Sequence, residues 1–403
     1  MPHTQPGGLM SNIEWTEQTW NPTTGCDKIS PGCDNCYALT MAKRLKAMGQ
    51  AKYQTDGNPA TSGPGFGVAM HDDVLTEPLR WTKPRRVFVN SMSDLFHADV
   101  TDEFIARVFA VMAATPQHTY QILTKRHGRM RSLVGAAIDG GQRLLEATPD
   151  EDTAQALYDA TWPLPNVWLG VSVEDQKRAD LRIPALIDTS AAVRFLSCEP
   201  LLGPVDLTPW LTPISPLLPE QASASWADWT WPEWVPAIVR EHIERFWGAD
   251  QGRSPRDWMR DMHQQQAPAF GARVTMDDGF GADPKQTTGR YVHAWNNIGR
   301  LVRDDGTFAY TSFGYARDRT ELPIDWVIVG GESGPGARPV NPDWVAGLSA
   351  TAQAAGAATF VKQLGSVWAT ANSASDRKGG TPEDWPAELQ VRQYPASVKA
   401  GQR

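Results

Sequence analysis

Short, almost continuously apolar runs recur along the chain at Val87–Ser91, Tyr120–Lys125, Val167–Ser172, Val193–Glu199, Trp326–Gly331 and Thr359–Gln363. Runs of this kind suit strands buried on both faces of a parallel sheet, because a strand with one wet face would alternate instead. A further strand near Trp15–Thr23 brings the expected number to about seven. Helical patterns lie between them. Thr101 is placed to cap a helix that runs to about Ala114 and stops before Pro116. Asp175 to Ile187 reads as another, with Pro184 expected to end or bend it. Asn341-Pro342 opens a third, to about Ala355, and Cys36 to Ala47 is amphipathic. Strand and helix in alternation predict an α/β fold with a parallel sheet. A partial, TIM-like β/α barrel is expected, with a doubly wound sheet as the alternative.

Two stretches break the pattern. Residues 138–164 are polar and read as a helical insertion. Residues 206–322 are far longer than an ordinary connection and hold Trp210, Trp226, Trp229, Trp231, Trp234, Trp247, Trp258 and Trp295. The expected organisation is therefore a barrel core from 1–205 and 323–370, a Trp-rich insertion or lid at 206–322, and a polar C-terminal extension at 371–403. The insertion is read either as packing a small core of its own or as stacking its aromatics on a base.

Composition narrows the class. With 41% hydrophobic and 21% charged residues, the chain can bury a core without disulfides. A net charge of −8 argues against a generally basic nucleic-acid coat but permits a local basic groove. No apolar stretch approaches the roughly 18–20 residues of a membrane helix, and the first residues carry no secretory apolar core. A cytoplasmic setting and no membrane partner are expected.

The four cysteines are unevenly placed. Cys26, Cys33 and Cys36 form a C-x6-C-x2-C pattern around a Pro31-Gly32 turn that can fold the loop back on itself. Three readings fit. The thiols could be reduced surface groups. They could hold structural zinc, with Cys198 or a histidine as fourth ligand. Or three thiolates could hold a [4Fe–4S] cluster, leaving one iron open to a ligand. Cys198 lies in an apolar run and reads as a small buried hydrophobe.

Reading just past each apolar run gives a polar set. It comprises Ser91, Ser93, Asp94 and His97, then Lys125, Arg126 and His127, then Ser172 and Glu174, then Glu199, then Gly330, Gly331, Glu332 and Ser333, and last Lys362 and Gln363. Chemistry in α/β folds collects at these strand ends. Ser91, Ser93, Asp94, Lys125, Glu174, Glu199, Gly330, Gly331 and Glu332 are the candidate cofactor-binding residues. No phosphate-binding loop, catalytic triad or zinc-protease motif occurs.

These residues carry a resemblance. Trp20-Asn21-Pro22-Thr23-Thr24-Gly25-Cys26 and Ser30-Pro31-Gly32-Cys33-Asp34-Asn35-Cys36-Tyr37 resemble a phage-associated family of unknown function defined by a three-cysteine motif. The likeness continues through Ser91 to Phe96, Leu123 to Arg126, Gly170 to Glu174, Ser197 to Gly203 and Val329 to Gly334. It implies a bacterial cytoplasm, or a host cytoplasm if the chain is phage-encoded.

More distantly, the chain is similar to radical S-adenosylmethionine (SAM) enzymes. That likeness implies a [4Fe–4S] cluster on Cys26, Cys33 and Cys36, reductive cleavage of SAM, and an electron donor such as flavodoxin or ferredoxin. It implies a ribose-binding role for Glu174. The first cysteine gap is six rather than the usual three, and Gly330-Gly331-Glu332 lies late in the chain. Ser91, Ser93 or Asp94 is therefore better placed for the SAM amine. A nucleobase, nucleotide or nucleic acid is the substrate expected. The alternative is a non-enzymatic zinc or iron–sulfur binding module.

Overall fold

A computed structural model describes residues 13–135, 141–211 and 324–395, together with the backbone of three strands between them. The sheet has seven strands: β1 (Gln18–Trp20), β2 (Arg86–Val89), β3 (Thr119–Thr124), β4 (Val167–Ser172), β5 (Val193–Cys198), β6 (Trp326–Gly330) and β7 (Ala358–Gln363). Their spatial order is their chain order, and every neighbouring pair is parallel. Order in space equal to order in sequence means single winding, not the reversal of a doubly wound sheet. Crossovers of one hand then leave the helices on one face.

The other face is curled on itself. Trp15, just before β1, has its ring 4.7 Å from Phe88 of β2, 6.4 Å from Phe195 of β5 and 6.1 Å from Trp326 of β6. In a flat sheet β1 and β6 would stand roughly 24 Å apart. The seven strands therefore form a half-barrel. Its inner face is filled by Trp15, Phe88, Trp168, Val193, Phe195, Trp326, Ile328 and Phe360. The alternate positions Val87, Val89, Ile122, Leu169, Val171, Leu196, Val327, Val329 and Val361 are buried too, on the face the helices cover. Burial on both faces explains the unbroken apolar runs.

The helices that frame the site are α1 (Tyr37–Ala47), α2 (Asp102–Ala113), α3 (His127–Val134), α4 (Gln176–Ile187), α5 (Pro342–Ala354) and α6 (Gly365–Ala371). Thr101 caps α2 through the Phe104 amide at 3.3 Å, and Asp175 caps α4 through the Arg178 amide at 3.0 Å. Pro184 does not end α4, which continues to Ile187. Burial of Ala179, Ile183, Pro184 and Leu186 outweighs the one missing N–H donor. The 138–164 stretch contains two short helices, Gln142–Glu146 and Glu151–Tyr158.

The C-terminal segment is built into the core. Val361 N donates to Val391 O at 2.8 Å and Gln393 N to Thr359 O at 2.7 Å, extending β7 on its free edge. Tyr394 then lies 5.5 Å from the rings of both Trp326 and Phe360, with the Arg86 guanidinium 4.3 Å over its own ring.

The chain divides into two compact units, residues 1–211 with 322–403, and residues 212–321. Trp210 is buried in a short turn of helix within the first. In the second, Gly289–Ala294, Ile298–Arg303 and Phe308–Ser312 form an antiparallel sheet. The other seven tryptophans of the stretch lie outside the described residues, and with them the base-stacking expectation.

Candidate metal centre

After β1 the chain turns back over the C-terminal ends of the strands. Gly25 bridges Ser93, its N–H donating to Met92 O at 3.0 Å, which sets Cys26 above the end of β2. Pro31–Cys33 makes one tight helical turn, and α1 starts directly after Cys36. All three thiols are free and half-buried. Cys26 and Cys36 pack against the same small apolar cluster of Ala38, Ala42, Phe66 and Met92. Burial pushes the Cys26 thiol up to about 12, Asp94 adding to the rise and Arg126 opposing it.

Three carboxylate–arginine pairs hold this loop, each from a different strand end. Beyond β2 and β3, Arg126 Nη1 is 3.1 Å from Asp94 Oδ2 and 3.1 Å from Cys26 Sγ. Beyond β4, Arg182 Nη1 donates to Glu174 Oε2 at 2.7 Å, while the Ser30 hydroxyl donates to Glu174 Oε1. Beyond β6, Arg338 Nη2 donates to Glu332 Oε1 at 2.7 Å and to the Pro31 carbonyl at 2.9 Å. Asn35 Nδ2 adds a bond to Glu332 Oε2 at 2.9 Å. Burial works to raise the Glu332 carboxyl, but the hydrogen bonds from Arg338 and Asn35 hold it below the ordinary range.

One family model covers nearly the whole chain. A family described as a protein of unknown function (DUF5131) matches residues 10–391. The chain belongs to that family. No curated protein and no solved structure matches it.

The expected cofactor residues fall into two groups. Asp94, Glu174 and Glu332 face the cysteine loop and are occupied in holding it. Glu174, expected to meet a ribose, is fully buried under Ser30 and Gly32. Ser93 joins them, its hydroxyl donating to Thr23 O at 3.0 Å, and Ser91 donates to Asn21 Oδ1 at 3.2 Å. Gly330 and Gly331 answer a packing demand: a Cβ on Gly331 would stand 2.4 Å from the Leu364 carbonyl oxygen.

The second group is less committed. Lys125 Nζ donates to Ser172 Oγ at 3.0 Å, and Lys362 Nζ pairs with Glu199 Oε1 at 2.6 Å. Alternation from Trp168, Phe195 and Phe360 puts Ser172, Glu199 and Lys362 on the inner side of the half-barrel, above the aromatic floor. Cys198 is buried on the helix side and lies apart from this inner surface.

Arg182, Arg338, Ser30 and Asn35 are the positions fastening the cysteine loop that the sequence alone does not single out. Arg182 follows Glu174 by two helical turns, and Arg338 ends a glycine-rich loop. Neither spacing signals a partner until the loop is folded over both.

Three thiols without competing carboxylate or imidazole ligands are the donor set that soft metal centres use. The chemistry fits zinc or an iron–sulfur cluster, and Cys26 and Cys36 share one apolar bed. Among the described residues no three His, Cys, Asp or Glu side chains are drawn into one coordination sphere. Loading a centre requires the three sulfurs to turn toward a common point.

Proposed function

We propose that this chain is a radical SAM-like iron–sulfur enzyme. One observation carries the reading: a three-thiol loop follows the first strand of a singly wound parallel half-barrel and is anchored over its strand ends. Cys26, Cys33 and Cys36 would hold a [4Fe–4S] cluster. When bound and reduced, that cluster supplies the electron that cleaves SAM. Lys125, steadied by Ser172, offers a cation for a carboxylate or phosphate. Glu199, steadied by Lys362, offers an acceptor for an amine or ribose hydroxyls. The aromatic layer of Trp168, Phe195 and Trp326 keeps water from the floor of the site. A nucleobase or nucleic acid is the substrate class favoured, with a flavodoxin- or ferredoxin-type protein as electron donor.

Anaerobic reconstitution tests this. A brown protein with about four irons per chain is expected. With dithionite and SAM it should form 5′-deoxyadenosine, and Cys33→Ala should abolish that product. A colourless protein holding one zinc would overturn the reading.

One observation favours a second reading, a non-enzymatic metal-binding module for a nucleic-acid or protein partner. Asp94, Glu174 and Glu332 all serve to fasten the loop, as carboxylates that orient the ligands of a closed structural site do. Iron uptake without SAM cleavage would select it.

A further inference from the structure

We infer that Arg126 is the positioning residue of the three-thiol centre, presenting the positive end of a buried ion pair to the Cys26 sulfur. The inference rests on the reading of Cys26, Cys33 and Cys36 as a metal centre. Arg126 grips the start of the loop at two adjacent residues: Nη1 reaches Cys26 Sγ at 3.1 Å and Nη2 reaches the Asp27 carbonyl at 3.3 Å. Asp94 locks that guanidinium from behind at 3.1 Å.

Asp94 is itself buried and held at both oxygens. Its Oδ1 accepts from Thr124 Oγ1 at 2.7 Å and from Phe96 N at 3.1 Å, and its Oδ2 accepts from Lys125 N at 3.0 Å. The Arg126 amide donates to Thr124 Oγ1 at 2.8 Å, so backbone and side chain are fixed together. The Arg126 and Asp94 side chains are 13% and 7% exposed. Arg126 cannot swing away without stranding a buried carboxylate.

The chemistry explains why a cation belongs there. Three thiolates bring more negative charge than a zinc ion or an oxidised [4Fe–4S] core neutralises, and a half-buried sulfur cannot spread that excess into water. An N–H donor on the sulfur stabilises it, and hydrogen bonds to cluster sulfurs also set reduction potential.

Cobalt(II) titration of the full-length apo chain under anaerobic conditions tests the inference, with the sulfur-to-cobalt charge-transfer band as readout. Arg126→Gln is too short to reach the sulfur and should bind cobalt about ten- to a hundredfold more weakly, with a weaker band. Arg126→Lys should recover part of the affinity. In iron-loaded protein, Arg126→Gln should show a lower midpoint potential. If Arg126→Gln fails to fold by circular dichroism, a folded Arg126→Lys serves instead: its displaced donor should weaken cobalt binding by a smaller factor, and wild-type affinity and potential in it would overturn the inference.

A folded Arg126→Gln with wild-type cobalt affinity, spectrum and potential would overturn the inference and leave the metal centre standing. Wild-type protein that binds neither cobalt nor iron through its thiols would overturn the metal centre itself.

Discussion

Gly32 lies so close to Glu174 that a Cβ on it would stand 2.3 Å from the glutamate Cγ and 2.5 Å from Oε1. Glu174 yields only by breaking bonds, because it is fully buried and bonded to Arg182 and Ser30. Gly32→Ala must therefore lift the cysteine loop or displace the carboxylate. We expect a loss of about 1–3 kcal/mol in urea unfolding, as for overpacked sites. Labelling of Cys33 by a thiol reagent should quicken relative to the buried Cys198. Unchanged unfolding and labelling would mean that the loop slides freely over the strand end.

The Glu174–Arg182 pair is enclosed, with side-chain exposures of 0% and 3%. Removing one partner strands a buried charge, which typically costs about 3–5 kcal/mol. Glu174→Gln and Arg182→Met should each show a loss of that order in denaturant titration. The double variant should recover much of it, because neither charge is then left alone. Strict additivity of the two losses would show that the pair is not coupled.

Acid stability should depend on Glu332. Its folded carboxyl titrates below the ordinary range, so its stabilisation is complete above about pH 4.3 and is lost as pH falls through the lowered value. Asp27 and Asp376 are shifted the same way and share this acid limb. Arg338→Met leaves burial opposed only by Asn35 and by the backbone amide of residue 338, and the fall in melting temperature should then begin at higher pH. Identical melting profiles across the acid range would exclude the Arg338 contribution.

Tyr394 fastens the last described residues to both sides of the half-barrel. Its ring meets Trp326 and Phe360, its hydroxyl donates to the Glu14 carbonyl at 3.3 Å, and Arg86 covers it. Tyr394→Ala should cost about 1–3 kcal/mol, from the lost aromatic pairs and cation–π contact. Differential scanning calorimetry would register this as a lower melting temperature, while thiol labelling at Cys33 stays as in the wild type. Faster labelling at Cys33 would instead link the segment to the cysteine loop.

Six of the seven strands were readable from local pattern because burial on both faces leaves an unbroken apolar signature, as in Val167–Ser172 and Trp326–Gly330, a signature that β1, Gln18–Trp20, lacks. Helix starts at Thr101, Asp175 and Asn341 were readable because a cap is a contact between near neighbours. Pro184 misled, since the burial that carries α4 past it comes from distant parts of the chain. The strand-end carboxylates were found, but not what they face. Glu174 meets Ser30 across 144 positions, and Arg338 meets Pro31 across 307.

What the sequence alone determined was the set of elements, the parallel sheet they demand and the three thiols on one short loop, all consequences of local periodicity and spacing. Only the tertiary structure decided that the sheet curls until its first strand's loop meets the sixth strand's. Curvature sums many small twists and aromatic contacts between remote residues, and no local pattern records it. That closure turned Asp94, Glu174 and Glu332 inward onto the cysteine loop and left Lys125, Ser172, Glu199 and Lys362 on the inner side of the half-barrel.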